Sequence, residues 1–320
     1  MHVVILSARS GWHTDQLCGA LSARGHVGVV LPYESLVARL GRTASEDALG
    51  AEGVALFTAD AVLARIIPSG SLEQIIYRVD ALHWIEERGI PVMNSPRAIE
   101  RTVDKFYTSA LLREAGLPVP ETVVCERAAD AVDAVRRMGD AIIKPIFGSM
   151  GHGLVRVTDA EVARRVAKPL EQMRSVFYVQ RAIAHGGHDV RAFVVGGRVV
   201  GAIERHAPAN EWRTNVSIGG RAAAVTLSIE WAEMAVRAAA AVGADYAGVD
   251  LLPDGDGRVY VLEVNGIPGW EGLQGATGVD VAGAVVDHLV AVVRAGRVPG
   301  SRNRIGRPAP VPTAPTSETR

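Results

Sequence analysis

Strand-like and helix-like segments alternate along the first hundred residues, and this alternation constrains the fold more than any other feature of the sequence. Helix-like segments over residues 14–24 and 72–88 are each followed at once by a glycine that stops a helix, and Thr14 can cap the first of them. Apolar runs suited to buried strands lie around these helices, over 2–6, 27–31, 61–66 and 90–93. Strands that alternate with helices build a parallel sheet covered by helices on both faces. The sequence therefore predicts an α/β unit that ends near Asn94.

Hairpins appear among the segments that follow Asn94. Ser95 and Pro96 open a helix as its cap and first residue, and Gly196-Gly197 is a two-residue hairpin signal between apolar strands. We expect further strands over 121–124, 141–146, 154–157, 176–180, 190–195, 199–203, 246–252 and 259–264. We expect further helices over 104–114, 129–138, 160–173, 229–242 and 281–293. These segments divide the chain into units over 1–100, 101–183, 184–295 and 296–320.

The last 25 residues, 296–320, differ in composition from the rest of the chain. They hold five of the 16 prolines, five arginines and one glutamate, so their net charge is +4 and residues 1–295 carry −5. Segments that are rich in proline and poor in apolar clusters cannot bury enough surface to fold. We therefore expect a disordered, basic, proline-rich tail, either without a partner or bound to an acidic one.

Composition excludes several classes of function. The formal net charge of −1 and the 5% aromatic content argue against a protein that coats nucleic acid or an anionic membrane. There is no stretch of about 18 apolar residues to predict a membrane-spanning helix, and no secretory signal opens the chain. The two cysteines, Cys18 and Cys125, fit neither a disulfide framework nor a zinc site. We expect a cytoplasmic enzyme with no nucleic-acid or membrane partner.

The turn Asp254-Gly255-Asp256-Gly257 joins two strands that carry acidic and amide side chains among apolar neighbours. Glu263 and Asn265 lie two residues apart and share a face of the returning strand. Pairing across the turn places Asp250 opposite Glu263 or its neighbour. A carboxylate inside an apolar strand is costly unless it is paired or bound to a metal, and oxygen ligands suit Mg²⁺ or Mn²⁺ shared with phosphate. We therefore favour a metal site over a solvated polar hairpin end.

Lys144 lies in the apolar strand segment 141–146, and a buried lysine requires an anion. The segment Gly148-Ser149-Met150-Gly151-His152-Gly153 follows, and backbone N–H groups in such a glycine-rich loop can close around phosphate. It is not a Walker A loop, because no Gly-Lys-Ser/Thr ends it and no helix follows. An ordinary hairpin turn would also explain the glycines. Beside the lysine and the acidic hairpin, however, the loop favours a site for a nucleoside triphosphate.

Arg191, in a predicted strand, and Arg213, in a polar loop, are suited to phosphate or an acyl phosphate, because guanidinium groups form bidentate hydrogen bonds. Their spacing fits surface ion pairs equally well. The sequence contains no Gly-x-Ser-x-Gly or His-Glu-x-x-His motif, and no Gly-x-Gly-x-x-Gly motif follows the first strand. These absences argue against a serine hydrolase, a zinc protease and a Rossmann dehydrogenase.

A set of residues that occur in order resembles the ATP-grasp fold, namely Lys105, Lys144, Asp250 and Glu263-Val264-Asn265. A closer similarity is to the RimK-type glutamate ligases, whose characteristic stretch is echoed over 179–183, 188–191, 202–205, 212–215, 219–220, 269–272 and 277–280. The resemblance covers about residues 1–293 and is strongest from 100 to 285. It implies an α/β fold with a pre-ATP-grasp domain over 1–100, one ATP-grasp lobe over 101–183 and a second lobe over 184–295.

The resemblance also implies a role for each residue of the site. ATP would sit between the two lobes, with its adenine held by the backbone of 180–183 and its ribose by Asp189. The nucleotide-binding residues would be Lys105, Lys144, Gly148, Ser149, Gly151, Gly153, Gln180, Arg181, Ala182, Ile183, Asp189, Arg213 and Asn215. The metal ligands, holding two Mg²⁺ or Mn²⁺ ions, would be Asp250, Glu263 and Asn265. The catalytic residues, which act on the transferred phosphate, would be Arg213, Arg191 and Lys144.

The implied reaction is an ATP-dependent ligation. A substrate carboxylate attacks the γ-phosphate to give an acyl phosphate and ADP, and an amine then displaces phosphate to form an amide. The resemblance favours L-glutamate as the amine, added to a small cofactor-like carboxylate such as a pterin, in cofactor biosynthesis, or to a protein. The alternatives are another amino acid as the amine, or a nucleotide-binding regulator without catalysis. The usual assembly of the family implies a homodimer or homotetramer.

Two positions depart from the family's pattern. Arg181 stands where the ribosomal-protein ligases carry an acidic residue, a change that is tolerable if the adenine is bound through the backbone. Val216-Ser217-Ile218 precedes the two glycines 219 and 220, in a loop that varies among relatives with different acceptors. We expect this loop to tune the choice of acceptor.

Overall fold

The computed structural model describes residues 1–148, 153–209, 211–214 and 219–296. The elements of its first unit are β1 (His2–Ser7), α1 (Trp12–Ala23), β2 (Val27–Pro32), β3 (Leu36–Arg39), β4 (Ala48–Ala51), β5 (Val54–Ala55), β6 (Ala61–Ala64), α2 (Leu72–Glu87), β7 (Val92–Met93) and α3 (Pro96–Val103). Four parallel strands in the order β2-β1-β6-β7 form the sheet that the alternation predicts. A small antiparallel sheet in the order β3-β4-β5 was not expected.

The prediction that Thr14 caps the first helix was wrong. The helix begins at Trp12 and its cap is Gly11, because the chain turns directly out of β1 into the helix. Thr14 is the third helical residue, and its hydroxyl accepts a hydrogen bond from the Gly11 N–H at 2.8 Å. The threonine therefore still satisfies the helix start, but from inside the helix. Ser95 caps α3 as predicted, accepting from the Ala98 N–H at 3.1 Å.

The second unit is built on an antiparallel sheet. Its elements are α4 (Lys105–Glu114), β8 (Thr122–Cys125), α5 (Ala128–Met138), β9 (Ala141–Pro145), β10 (Val155–Val157), α6 (Ala160–Gln172) and β11 (Phe177–Arg181). The strands are ordered β10-β9-β11-β8, and apolar residues of α5 and α6 pack against them in one core. Asp104 caps α4, its Oδ1 accepting from the Phe106 N–H at 2.9 Å. The cap fixes the direction in which Lys105 leaves the helix start.

The third unit carries a larger antiparallel sheet. Its elements are β12 (His188–Val195), β13 (Arg198–His206), β14 (Arg221–Ala224), α7 (Ile229–Val242), β15 (Tyr246–Pro253), β16 (Val259–Asn265), α8 (Glu271–Thr277) and α9 (Val281–Arg294). The strands are ordered β14-β13-β12-β15-β16. The predicted hairpin at Gly196-Gly197 is confirmed, and both glycines have the positive φ, 57° and 77°, that a two-residue turn of this kind requires. The division of the chain at residues 100, 183 and 295 stays a prediction, and the expected tail beyond 296 lies outside the described residues.

None of the described helices is by itself long and apolar enough to cross a membrane. Only α8 and α9 taken together meet that requirement of length and composition, and they are bent by 113°. The apolar side of α9 is buried at Val285, Val286 and Leu289, in the core that α9 shares with α1. This core packs the third unit against the first.

Asn94, which follows β7, joins the first unit to the third, and its side chain is fully buried. Its Nδ2 donates to the carbonyl oxygens of Tyr246 at 2.7 Å and Gly266 at 2.5 Å. Its Oδ1 accepts from the backbone N–H groups of Asp245 at 2.7 Å and Tyr246 at 3.1 Å. All four hydrogen-bonding positions of the amide are therefore used. Through them the first unit ties the start of β15 to the residue that follows β16.

Arg65, directly after β6, forms a second tie between the same units. The residue is 2% exposed, and its guanidinium donates to the Pro268 carbonyl oxygen at 3.0 Å and to the Tyr246 hydroxyl at 3.3 Å. The guanidinium carbon lies 4.8 Å from the ring centroid of Trp270. A carbonyl dipole and an aromatic face thus stabilise this buried cation. The segment after β16 is fixed against the carboxyl edge of the first sheet.

Replacing Asn94 by leucine removes four hydrogen bonds and leaves buried backbone groups without partners. We expect Asn94→Leu to lower the free energy of unfolding by about 2–4 kcal/mol, because each buried unsatisfied group costs roughly 1–3 kcal/mol. Urea denaturation followed by circular dichroism measures the change. The control is Gln172→Leu, which removes an amide from an exposed position and should change stability by less than about 0.5 kcal/mol. Equal stability of the two variants would contradict the role of Asn94.

Candidate active site

A single large cleft gathers most of the predicted site residues. It has a volume of about 830 Å³ and is lined by all three units. The predicted residues that line it are Lys105, Lys144, Gly148, Gln180, Arg181, Ala182, Ile183, Asp189, Arg191, Arg213, Asp250, Glu263 and Asn265. Gly153 is described but does not line the cleft. Three further predicted residues, Ser149, Gly151 and Asn215, lie outside the described residues.

The hairpin of β15 and β16 positions the acidic side chains on the floor of the cleft. Asp250 pairs directly with Glu263, and Gly248 pairs with Asn265, so the predicted register is confirmed. Side chains two residues apart, or directly opposite each other, point to the same face of a sheet. Asp250, Glu263 and Asn265 therefore face the cleft together.

Asp250 is held by two arginines. Arg191 lies opposite it on β12 and donates from Nε to Oδ1 at 2.7 Å and from a terminal nitrogen to Oδ2 at 2.8 Å. Arg205, on β13, places a terminal nitrogen 2.9 Å from Oδ2. Burial alone raises the pKa of Asp250, but the two guanidinium groups outweigh it and hold the pKa at about 2. The carboxylate is therefore ionised at any physiological pH.

Arg205 is a residue of the site that the sequence did not single out. It is 3% exposed, and it also donates from Nε to Oδ1 of Asp189 at 2.7 Å. Burial lowers its pKa, but Asp250 and Asp189 more than offset that effect. The sequence did carry a signal for it. Arg205 lies two residues beyond the apolar strand predicted over 199–203, and the Gly196-Gly197 turn places it opposite Asp189. Arg205 links the aspartate predicted for the ribose to the aspartate predicted for the metal.

Two lysines lie on the opposite wall, which the second unit provides. The Lys144 Nζ donates to Gln180 Oε1 at 2.7 Å and lies 5.8 Å from the ring centroid of Tyr178. Burial is the main cause that lowers the pKa of Lys144 to about 8, with Glu263 opposing it and Lys105 adding to it. The Lys105 Nζ donates to the carbonyl oxygens of Ile146 at 3.2 Å and Gly148 at 2.8 Å. The Lys105 ammonium group therefore stands at the entry to the glycine-rich loop.

Glu263 is the carboxylate that these lysines face. In the ranges that the structure describes, Glu263 makes no hydrogen bond or ion pair, whereas Asn265 Oδ1 accepts from the Ile267 N–H at 2.9 Å. No three His, Cys, Asp or Glu side chains in those ranges are grouped to hold a metal ion. The donors present are two carboxylates and one amide, all hard oxygen ligands, and Mg²⁺ commonly takes few protein ligands together with phosphate oxygens. The residues therefore fit Mg²⁺ when a nucleotide supplies the remaining ligands.

The segment 180–183 crosses the far end of the cleft with its side chains already engaged. Arg181 donates from Nε to Glu121 at 2.9 Å and from a terminal nitrogen to the Met138 carbonyl oxygen at 2.8 Å. The Ala182 N–H donates to the Asp140 carbonyl oxygen at 3.0 Å. The guanidinium of Arg181 is thus held by Glu121 and Met138, neither of which lines the cleft. A ligand at this end would meet the backbone of the segment rather than that charge.

Arg213 lies at the rim, in a loop organised by Glu211. A terminal nitrogen of Arg213 donates to Glu211 Oε2 at 2.7 Å, and the Glu211 carboxylate also accepts from the backbone N–H groups of Trp212 and Arg213. The Arg213 side chain is the main cause that lowers the pKa of Glu211 to about 2. The arginine is therefore paired in this state and reaches the cleft as part of a structured turn.

Family comparisons agree with this geometry. A model of the RimK-like ATP-grasp domain matches residues 102–289, and a model of the RimK pre-ATP-grasp domain matches residues 1–99. The tetrahydromethanopterin:alpha-L-glutamate ligase of Methanosarcina acetivorans is 34% identical over 307 residues, which cover 87% of this chain and 95% of that protein. A probable alpha-L-glutamate ligase of Trichodesmium erythraeum is 35% identical over 293 residues, covering 90% of this chain and 96% of that protein.

Among solved structures, the ATP-grasp ligase PsnB in complex with a minimal precursor superposes with a TM-score of 0.72 and 26% identity. The match covers 90% of this chain and 98% of PsnB. Another PsnB complex contains a phosphomimetic precursor variant, Mg and ADP, and it superposes with a TM-score of 0.69. ATP-grasp ligases use ATP and Mg²⁺. The chain belongs to the RimK family of ATP-grasp ligases, with an N-terminal pre-ATP-grasp domain, and it is an enzyme of the ligase class.

Proposed function

We propose that the protein forms an amide between L-glutamate and a substrate carboxylate, through an acyl phosphate made from ATP. The observation that carries the proposal is the arrangement of one cleft. Two lysines with lowered pKa values face Glu263, which makes no ion pair among the described residues. Glu263 lies directly beside Asp250, whose negative charge is balanced by arginine. Such a site attracts the phosphates of a nucleotide and keeps one carboxylate free for a metal.

Residues on both walls of the cleft would contact the nucleotide. Lys105 and Lys144 would bind the phosphates, exchanging their present carbonyl and amide partners for stronger charged ones. The backbone of 180–183 would hold the adenine, and Asp189 the ribose. The glycine-rich loop from Gly148 to Gly153 would close over the phosphates, with Arg213 and Asn215 at the transferred group. The roles of Lys105, Lys144, Asp189 and the segment 180–183 rest on residues that line the cleft, whereas those of Asn215 and of residues 149–152, which lie outside the described residues, rest on the family resemblance alone.

The metal ligands would be Asp250, Glu263 and Asn265, holding two Mg²⁺ or Mn²⁺ ions. When bound, the metal neutralises charge on the phosphate oxygens during transfer. Asp250 keeps further lone pairs beside those used by Arg191 and Arg205. Arg191 and Arg205 also balance the buried negative charge of Asp250 when no nucleotide is bound.

In the proposed reaction an acceptor carboxylate oxygen attacks the γ-phosphorus, and the bond to the leaving oxygen of ADP breaks. The amine of glutamate then attacks the acyl carbon, phosphate leaves with the electron pair of the C–O bond, and the amine loses a proton. Lys144, Arg191 and Arg213 would stabilise the negative charge that develops in both steps. No nucleophile from the enzyme is required.

The acceptor would be a small cofactor-like carboxylate, such as a pterin-type molecule, or a protein carboxylate. The similarity to a ligase named for tetrahydromethanopterin supports the first class. Another amino acid in place of glutamate is the alternative within the same chemistry. Relatives named as ligases favour an enzyme over a catalytically silent nucleotide-binding regulator. A homodimer or homotetramer stays a prediction.

Mass spectrometry of acceptors tests the proposed function. Purified protein with ATP, Mg²⁺, L-glutamate and a panel of pterin-type and protein carboxylates should release ADP and add one glutamyl unit, or several in succession, to an acceptor. Reactions without glutamate, and reactions with other amino acids, are the controls. Products that contain a different amino acid would replace glutamate, and ADP release with no modified acceptor in any reaction would contradict the proposal.

Glu263→Gln separates the metal site from the fold. Because Glu263 makes no hydrogen bond or ion pair among the described residues, the variant should unfold close to the wild-type temperature and lose at least about 100-fold in kcat. Asp250→Asn should lose as much activity and should also be less stable, since Arg191 and Arg205 lose a charged partner. Coupled ADP release and thermal unfolding measure both effects. The exposed Glu230→Gln is the control, and wild-type kcat in Glu263→Gln would reject the assignment.

The pKa of Lys144 predicts how nucleotide use depends on pH. A lysine binds phosphate while protonated, and burial lowers the pKa of Lys144 to about 8. The value of kcat/KM for ATP should therefore fall as pH rises through about 8, since this ratio reports groups of the free enzyme. Lys144→Arg keeps its charge at these pH values and should show a flatter profile. The same fall in both proteins would assign the titration to another group.

A further inference from the structure

The loop between β1 and α1 reaches the cleft through Arg9. Its backbone is fixed, because the Ala8 N–H donates to the Ile66 carbonyl oxygen at 2.8 Å and the Ser7 hydroxyl donates to the Arg9 carbonyl oxygen at 3.0 Å. Arg9 is exposed and lines the cleft from this loop. It stands at the carboxyl end of a parallel strand, the edge at which open α/β sheets bind ligands.

Contacts of α1 place this loop beside the metal end of the hairpin. The Trp270 N–H donates to His13 Nε2 at 3.1 Å, and the rings of His13 and Trp270 lie 4.6 Å apart. Trp270 follows Asn265 by five residues, and Gly269 lines the cleft. Arg9 therefore belongs to the part of the cleft near Asn265 rather than to the part predicted for the adenine.

Arg9 differs from the other lysines and arginines that line the cleft. Each of the others has a polar or charged partner, as shown for Lys105, Lys144, Arg156, Arg181, Arg191, Arg205 and Arg213. The side chain of Arg9 has neither a hydrogen bond nor an ion pair within the described ranges. Ile66, whose carbonyl oxygen accepts from Ala8 beside Arg9, lines the cleft together with Ile67. A guanidinium in such surroundings is available to a ligand anion.

We propose that Arg9 binds a carboxylate of the amino-acid substrate or of the acceptor. This carboxylate is distinct from the one that becomes phosphorylated. The proposal rests on the proposed ligase function. The phosphates of ATP have their own cations, Lys105 and Lys144, on the opposite wall. A guanidinium matches a carboxylate in a bidentate fork. The carboxylate has two sources, the incoming L-glutamate or a remote carboxylate of the acceptor.

The test compares Arg9→Gln, which removes the charge, with Arg9→Lys, which keeps it. Arg39→Gln removes an exposed positive charge from β3, outside the cleft, and controls for general attraction of anions. Calorimetry on protein saturated with ADP and Mg²⁺ measures binding of L-glutamate, L-glutamine and tetrahydromethanopterin. Where the wild type ligates, steady-state KM values for ATP and both other substrates are measured as well.

We expect Arg9→Gln to weaken one of the two carboxylate substrates by roughly 10–100-fold, with partial rescue in Arg9→Lys and no change in the KM for ATP. If L-glutamate binds more weakly and L-glutamine binding is unchanged, Arg9 contacts the side-chain carboxylate of the amino acid. If both bind equally more weakly, Arg9 contacts its α-carboxylate. If tetrahydromethanopterin binds more weakly, Arg9 contacts a carboxylate of the acceptor. Unchanged binding of all three, a change confined to ATP, or a wild type that binds none of the three would overturn the proposal. A wild type that binds but ligates no acceptor contradicts the ligase function alone.

Discussion

The buried amide of Asn94 is the contact on which the arrangement of the cleft depends. It hydrogen-bonds the backbone at the start of β15 and directly after β16, and these are the two strands that carry Asp250 and Glu263. Arg65 fixes the next residues, Pro268 and beyond, against the same sheet. The positions of the hairpin and of the loops at the carboxyl edge of the first sheet are therefore set together. A cleft between three units keeps a defined shape because two of them are joined through fully satisfied polar contacts.

Charge neutrality governs the floor of the cleft. Asp189 and Asp250 face Arg191 and Arg205 in a buried group with two negative and two positive charges. Burying any one of these charges alone would be strongly destabilising, whereas the paired set is tolerated. The net charge available to a ligand then comes from groups outside this set, namely the two lysines on the opposite wall, Glu263 and the exposed Arg9. This division explains how a site with many ionised side chains can present a cationic wall to a ligand while the set of two aspartates and two arginines on its floor stays neutral.

The sequence predicted those parts of the fold in which one local signal decides the outcome. Periodicity and glycine positions gave the parallel sheet and the Gly196-Gly197 hairpin, and alternation within a strand gave the register of Asp250 and Glu263. The short strands β3, β4 and β5 carry too few residues for a periodic pattern, so they were missed. The Gly196-Gly197 turn indicates that Arg205 lies opposite Asp189. Nothing local indicates that Arg205 also contacts Asp250, because that contact depends on the order of three strands.

The residues at the two ends of the cleft are held by different kinds of structure, sheets at one end and loops at the other. This difference affects which part of the reaction each end can determine. Sheet residues place Lys144 and the acidic hairpin, where a change of register would turn each side chain to the other face. Lys105 is placed by the start of α4. Loops place the other end, through Arg9, Ile66, Ile67 and Gly269. Loops accept substitution without disturbing the sheets that support them. The phosphate chemistry that we propose can therefore stay constant while the other substrates change. We expect their identity to depend on the loop that contains Arg9 and on the predicted acceptor loop at Val216-Ser217-Ile218, which lies outside the described residues.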